Sequence, residues 1–183
     1  MTRDLRRSVP PDYLTDRGPG HGRRSPARSW LHSDAPVLSL DGDWSFRLLA
    51  GAPATPGGQG VLPAGESAGS FAAAGYDDTG WESIPVPSHW VLTADGRRGR
   101  PIYTNVQFPF PTEPPFVPDE NPTGDYRRRF DLPASFDGME RVLLRFAGAE
   151  SRYAVWVNGT EAGVGTGSRL VQEFDVSGLL TAG

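Results

Sequence analysis

Short runs in which large apolar residues alternate with polar ones recur along the chain. Alternation over about four to eight residues is typical of a half-buried β-strand. The clearest runs are residues 44–48, 141–146 and 153–157, and in the second of them Val142, Leu144 and Phe146 lie on one face. No window of about eleven residues or more has a helical period. The pattern therefore predicts an all-β chain.

A hairpin is expected where Asn158 and Gly159 separate residues 153–157 from residues 160–164. Asn-Gly is a strong short-range hairpin signal, because both central residues of a type I′ turn need a positive φ. The sequence therefore predicts two paired antiparallel strands at this point.

Residues 76–87 predict a turn that leads into a short strand. Asp77 and Asp78 suit turn and cap positions, and Trp81 is expected to be the buried anchor. Two further strands are expected, over residues 126–132 and at residues 174–180, the second of which runs into a helical turn.

Many short strands with frequent turns predict an antiparallel β-sandwich of jelly-roll, galactose-binding-like type over residues 34–183. Residues 1–33 are rich in Arg, Pro, Gly and Ser and are expected to form a disordered basic leader, with order beginning near Leu38. Residues 50–75 suggest a loose surface insertion. Because residues 181–183 have the character of a turn before another strand, the closing strands are expected to be missing.

Charge narrows the classes of partner. All 18 basic residues are Arg, and residues 1–29 carry seven Arg and three Asp, so a net charge of −8 falls on the rest of the chain. An acidic body argues against a nucleic-acid groove, although the leader could touch phosphates. No apolar run follows the leader arginines, so we expect no signal peptide, no membrane partner and a cytoplasmic location. There is no cysteine.

Seven prolines lie within residues 101–122, which we call the proline-rich segment. Proline fixes its own φ and restricts the residue before it, so this segment is stiff. Its many apolar side chains are unlike those of a solvated linker. The carboxamide of Asn105 offers two donors and an acceptor, which suits paired sugar hydroxyls, but from the residues alone a turn-capping role is equally consistent.

Other candidate residues have structural interpretations. Four carboxylates near the proline-rich segment are expected to bond within loops or face solvent, with no environment that raises a pKa: Glu113, Asp119, Glu120 and Asp125. The three histidines, His21, His32 and His89, are too scattered for a metal site, and His89 is expected to be structural beside Trp90. Core packing is favoured over a sugar-stacking platform for Trp44, Trp81, Trp90 and Trp156. The Gly-rich run 163–167 is a weak match to a phosphate cradle.

Several strings resemble the sugar-binding domain of glycoside hydrolase family 2. They are Leu40-Asp41-Gly42-Asp43-Trp44-Ser45-Phe46, Val86-Pro87-Ser88-His89-Trp90 and Trp156-Val157-Asn158-Gly159. The proline-rich segment, from Pro101-Ile102-Tyr103-Thr104-Asn105-Val106 to Glu120-Asn121-Pro122-Thr123-Gly124, is similar to that of the long-chain bacterial β-galactosidases in particular. The resemblance covers residues 37–183.

The resemblance implies that this chain is the truncated N-terminal part of a retaining β-galactosidase. In that family two glutamates of a central barrel perform catalysis, so no catalytic residue is expected in this chain. The resemblance implies that Asn105 and Val106 line the galactose pocket. Two alternatives are a free-standing carbohydrate-binding module and the equivalent domain of a β-glucuronidase- or β-mannosidase-like hydrolase.

The resemblance also bears on cofactors and partners. Thr166-Gly167 stand where related enzymes have Gln-Asp, whose Gln is associated with a structural magnesium ion, so no metal ligand is assigned to this chain. Mg²⁺ and Na⁺ are admitted only for the full-length parent. Its implied partners are a β-galactoside substrate, the barrel and other domains of the parent, and further copies in a homo-oligomer.

Overall fold

The architecture is an all-β, antiparallel sandwich. A computed structural model describes residues 16, 18–28, 33–51, 66–67, 69–103, 105 and 121–181. Its strands are β1 Gly20–Gly22, β2 Gly42–Leu49, β3 Glu82–Val86, β4 Thr123–Arg127, β5 Leu143–Phe146, β6 Arg152–Val157, β7 Thr160–Thr166 and β8 Gln172–Asp175. Short 3₁₀ helices span Ser70–Ala72, Trp90–Leu92, Ala94–Gly96, Ala134–Phe136 and Ser177–Leu179, and these described ranges contain no α-helix. The predicted fold class is confirmed.

The strands form three hydrogen-bonded groups, in the orders β3-β2-β4, β1-β7-β6 and β5-β8, and every pairing is antiparallel. The hairpin predicted at Asn158 and Gly159 joins β6 to β7 and is confirmed. Both turn residues have positive φ, 49° and 83°, as a type I′ turn requires.

The largest buried apolar cluster joins the strands of the second half of the chain. Val155, Ala162, Phe174 and Val176 form its centre. Val142, Leu144 and Phe146 pack against it from the face on which the alternation places them. The β3-β2-β4 sheet has its own buried residues, Phe46 and Ile84. The ring of Phe71, from the segment between β2 and β3, lies 5.4 Å from the ring of Trp156 on β6 and links the two regions.

Part of the predicted leader is a strand of the sandwich, which corrects the expectation that order begins near Leu38. β1 pairs with β7, and Arg24 forms a bridge with Phe174 of β8. Backbone bonds continue on both sides, from Arg23 N to Ala162 O at 2.7 Å and from Ser25 N to Glu173 O at 2.8 Å. Residues 20–25 therefore lie between β7 and β8 and join two of the three groups.

Side chains reinforce this contact. Arg28 donates two hydrogen bonds of 2.6 Å to Glu173, and Arg24 donates one of 2.8 Å to Gln172. The disordered description is wrong for residues 18–28, because main-chain bonding and ion pairs do not require the apolar periodicity that the sequence lacks there. The domain division at residue 34 itself stays a prediction.

Two local predictions also need correction. β4 begins at Thr123 and ends at Arg127, whereas the predicted strand covered residues 126–132. The described part of the predicted loose insertion, residues 66–67 and 69–75, packs on β2 and β6 through Glu66 and Phe71. Small residues around an aromatic side chain thus cover a sheet face rather than hang from it.

Candidate functional site

Asn105, the predicted sugar-binding residue, lies exposed in a bend near the start of the proline-rich segment. Its Nδ2 donates a hydrogen bond of 3.0 Å to the hydroxyl of Tyr103. The preceding apolar side chains face outward, with Ile102 62% and Tyr103 78% exposed. Val106, the other predicted residue, lies outside the described residues. A contact with sugar stays a prediction for both.

Arg98 holds the chain just before this segment. Its guanidinium lies 4.7 Å from the centre of the Phe46 ring and donates a 2.9 Å hydrogen bond to Thr93 Oγ1. It also forms an ion pair with Glu82. Only 9% of the Arg98 side chain is exposed. Sequence reasoning missed this residue, because a run with three arginines within residues 97–100 is typical of a solvated face.

The chain after the segment is packed just as closely. Gly124 on β4 faces two rings: a Cβ built there would lie 2.5 Å from Trp90 and 2.8 Å from Phe46. Thr123 donates a 2.9 Å hydrogen bond to the backbone oxygen of Asn121. The structural role predicted for Trp90 is consistent with this packing, which only a glycine at position 124 permits.

Arg47 on β2 carries a polar network on the same sheet. Its Nε donates to Asp125 at 2.8 Å, and its Nη2 donates to Glu66 at 2.9 Å. Tyr76 accepts a bond from Arg47 and donates one of 2.6 Å to Glu66. The Trp81 ring centre lies 4.6 Å from the guanidinium carbon. The predicted anchor role of Trp81 thus includes a cation–π contact.

The charges in this network follow from burial and shared bonds. Burial raises the pKa of Asp125 more than Arg47 lowers it. Burial alone lowers the pKa of Arg47, but its hydrogen bonds to Glu66 and Asp125 outweigh burial and raise it. Both pKa values rise because two carboxylates share one guanidinium while Asp125 loses its hydration.

Asp125 corrects the expectation for the acidic cluster. It lies on a strand and is buried, with a raised pKa, whereas a loop carboxylate without a pKa-raising environment was predicted. A raised pKa can mark a catalytic acid, but the Asp125 carboxylate is bound to Arg47 and supports the sheet. The other three members, Glu113, Asp119 and Glu120, lie outside the described residues.

The two turn aspartates divide their roles. Asp77 accepts a hydrogen bond from the Thr79 amide at 3.0 Å, as a turn residue does. Asp78 is buried and accepts a 2.6 Å bond from Arg129, with Arg127 at 3.4 Å. The expectation of turn and cap duty is therefore confirmed for Asp77 and incomplete for Asp78, whose ion pairs link the turn to β4.

His89 has a carboxylate that the sequence did not place near it. Its Nε2 lies 3.2 Å from Glu150 Oε2, and both side chains are about half exposed. An exposed pair of this kind is a surface contact beside Trp90. Among the residues that the structure describes, no group of three or more His, Cys, Asp or Glu side chains could hold a metal ion.

The Gly-rich run 163–167 is not arranged as a phosphate cradle. Residues 163–166 belong to β7 and face the leader. A Cβ on Gly163 would lie 2.3 Å from the backbone oxygen of His21. These glycines thus allow close approach of two backbones. Within the described part of the chain, no helix has the length and apolar character that crossing a bilayer needs.

The chain is similar to several curated proteins named beta-galactosidase. It is 64% identical to one from Arthrobacter sp. (strain B7) over 93% of this chain, and 40% identical to one from Vibrio vulnificus (strain YJ016) over 86%. A relative from Kluyveromyces lactis is 36% identical over 94%. The chain spans only 14% to 17% of the length of these relatives.

Among solved structures, the fold is similar to that of a Bifidobacterium dentium beta-glucuronidase complexed with coumarin-3-O-glucuronide. The TM-score is 0.57 at 25% identity, covering 84% of this chain and 19% of that one. Residues 37–183 match the family described as glycosyl hydrolases family 2, sugar binding domain. Because that match covers well over half of its length, the chain belongs to glycosyl hydrolase family 2, as part of the family's sugar-binding domain.

Proposed function

We propose that this chain is the N-terminal part of a β-galactosidase that hydrolyses terminal, non-reducing β-D-galactosides of the lactose type with retention. The observation that carries the proposal is the 64% identity, over 93% of the chain, to a protein named beta-galactosidase. The relatives are about six to seven times longer, so the remaining domains, including the catalytic barrel, belong to the parent protein.

The chain contributes Asn105 and Val106 to the galactose pocket. An exposed carboxamide near the start of a stiff segment supports this role for Asn105. A carboxamide has two donors and one acceptor, so its bond to Tyr103 leaves it able to bond sugar hydroxyls. The exposed side chains of Ile102 and Tyr103 would then meet the barrel rather than solvent.

Retention needs two carboxyl groups about 5 Å apart, one as acid/base and one as nucleophile, with a covalent glycosyl-enzyme between the two steps. We assign both to the barrel of the parent and none to this chain. Its described residues do not fit a metal centre, so no step is routed through the Mg²⁺ or Na⁺ that the family resemblance admits. A cytoplasmic location and a homo-oligomeric parent stay predictions.

Replacing Asn105 with Ala in the full-length enzyme tests the role of this residue. Loss of hydrogen bonds that strengthen in the transition state should lower kcat/KM on a chromogenic galactoside about 10- to 100-fold. Asp137→Ala, at an exposed site in the same domain, is the control and should leave kcat/KM unchanged. Equal kcat/KM values for wild type and Asn105→Ala would remove the ligand role from this residue.

The second candidate function is that of a β-glucuronidase, favoured by the similarity to the Bifidobacterium dentium structure. Matched chromogenic galactoside and glucuronide substrates separate the two. The proposal expects kcat/KM of the full-length enzyme to be higher on the galactoside, and a preference for the glucuronide would replace it.

A further inference from the structure

One buried ring touches both ends of the proline-rich segment. Phe46 on β2 is 1% exposed. Its ring centre lies 6.0 Å from that of Trp90 and 4.8 Å from that of Tyr126. The guanidinium of Arg98 covers it at 4.7 Å. Since Phe46 pairs with both β3 and β4, its position is fixed by two strands.

At the start of the segment, Arg98 is restrained from three directions, by the Phe46 ring, the Thr93 hydroxyl and the Glu82 carboxylate. It precedes Pro101 by three residues. A buried guanidinium with all these partners has little rotamer freedom, so it fixes the backbone from which the segment departs.

At the end of the segment, Gly124 lies two residues after Pro122 and pairs with Leu48 of β2. Its Cα faces the rings of Trp90 and Phe46 without room for a side chain. The chain therefore returns onto the ring that Arg98 covers.

Asn105 is connected to this anchor by a short path. Its amide donates to Tyr103, which is five residues after Arg98. The intervening Pro101 restricts both its own φ and the residue before it. A displacement of Arg98 would thus shift Asn105 rather than be absorbed by a flexible linker.

We propose that Arg98 is a positioning residue for Asn105, and that Phe46 is the common anchor on which both ends of the proline-rich segment are held. Arg98 touches no substrate in this arrangement and acts only through Asn105. The inference rests on the proposed function, because it needs Asn105 to contact the galactoside. Displacing a positioning group by about 1 Å can lower a rate about 100-fold.

A double-mutant cycle in the full-length enzyme tests this inference. Arg98→Met keeps the length and apolar stem of the side chain but removes its charge and hydrogen bonds. We expect it to lower kcat/KM on a chromogenic galactoside about 10-fold in the wild-type background, with most of the loss in kcat. In the Asn105→Ala background the further loss should be less than about 2-fold, because residues that act together are not additive.

Two further variants complete the design. Arg98→Lys keeps a cation over Phe46 and should recover part of the lost kcat. Arg97→Met changes the exposed neighbouring arginine and should leave kcat/KM unchanged. If Arg98→Met does not fold, Thr93→Val, which removes one partner of Arg98, replaces it in the cycle and is expected to lower kcat/KM about 3-fold in the wild-type background only.

The outcomes separate the inference from the proposed function. An equal loss of kcat/KM from Arg98→Met in both backgrounds would make Arg98 a purely structural residue and overturn the inference. So would unchanged kcat/KM for Arg98→Met while Asn105→Ala is impaired. If Asn105→Ala itself has no effect, the ligand role of Asn105 fails first.

Discussion

At the scale of single residues, the phenol of Tyr153 is the clearest case of a polar group placed among apolar ones. Its ring packs on Phe146 and Phe174, and its hydroxyl has no hydrogen-bond partner among the described residues. Burial raises the pKa of Tyr153 to about 12, against a small opposing effect of Arg24. The folded protein therefore keeps this phenol neutral at a pH where the unfolded chain ionises it.

This shift predicts a loss of stability at alkaline pH. The stabilisation is fully present below about pH 10 and is lost as the pH rises towards about 12, because only the unfolded state releases the proton there. Tyr153→Phe should reduce this loss. At pH 7 it should change the free energy of unfolding by less than about 1 kcal/mol, since the hydroxyl it removes is unpaired.

Urea unfolding at pH 8 and pH 11 measures both effects. Tyr103→Phe is the matched control, because Tyr103 is 78% exposed, and it should show the alkaline loss of the wild type. An alkaline loss in Tyr153→Phe as large as that of the wild type would show that burial does not govern ionisation of this phenol.

Buried charges were the residues that sequence reasoning treated least well. Asp125 and Arg98 both belong to sequence stretches with the look of a solvated surface, yet each is buried beside an oppositely charged partner. Their partners, Arg47 and Glu82, lie far away in the chain. No local pattern reports such pairs, because a buried ion pair depends on which strands become neighbours.

At the scale of elements, β1 is the strand whose presence depends most on the absence of side chains. Gly20 and Gly22 pair with Gly165 and Gly163 of β7. Three of these glycines have φ values of +80° to +141°. Close backbone approach and an unusual φ are both conditions that glycine alone meets without strain.

Gly163→Ala should therefore release the leader from the sandwich. The added Cβ would lie 2.3 Å from the backbone oxygen of His21, so β1 must move away. Hydrogen exchange at the amides of Arg23 and Ser25, which bond to β7 and β8, should become about 30- to 100-fold faster, equivalent to about 2–3 kcal/mol of lost local stability.

Gly138→Ala controls for backbone strain alone. Gly138 also has a positive φ, +73°, but nothing lies within 4 Å of an added Cβ. Exchange at Arg23 and Ser25 should stay as in the wild type in this variant. Equal exchange rates in the two variants would mean that the leader does not depend on contact with β7.

Elements with strong local signals were predicted well. The β6–β7 hairpin needs only its Asn-Gly turn and its flanking alternation, and β5 presents Val142, Leu144 and Phe146 as expected. β1 and the start of β4 were missed, because their residues have weak alternation. Their pairing with β7 and β2 comes from partners distant in sequence.

At the scale of the whole molecule, we expect the isolated 183-residue chain to be inactive on galactosides. Retaining hydrolysis needs an acid/base and a nucleophile about 5 Å apart, and both are assigned to the parent's barrel. The isolated chain should show no release of chromophore above buffer, whereas the full-length enzyme at equal molarity releases it. Circular dichroism checks that the chain has β-structure, and turnover that co-purifies with the isolated chain would contradict this division of labour.

The sequence by itself determined the all-β class, the hairpin, the alternating faces of the strands and the family, because each of these is written in local spacing or in contiguous motifs. It also singled out Asn105 as a candidate. Only the tertiary structure decided that the leader fills the space between β7 and β8, that Asp125 is buried on Arg47, and that Arg98 and Gly124 meet on Phe46. These contacts join residues that are far apart in the chain, and the burial and electrostatics that create them exist only once the strands have packed.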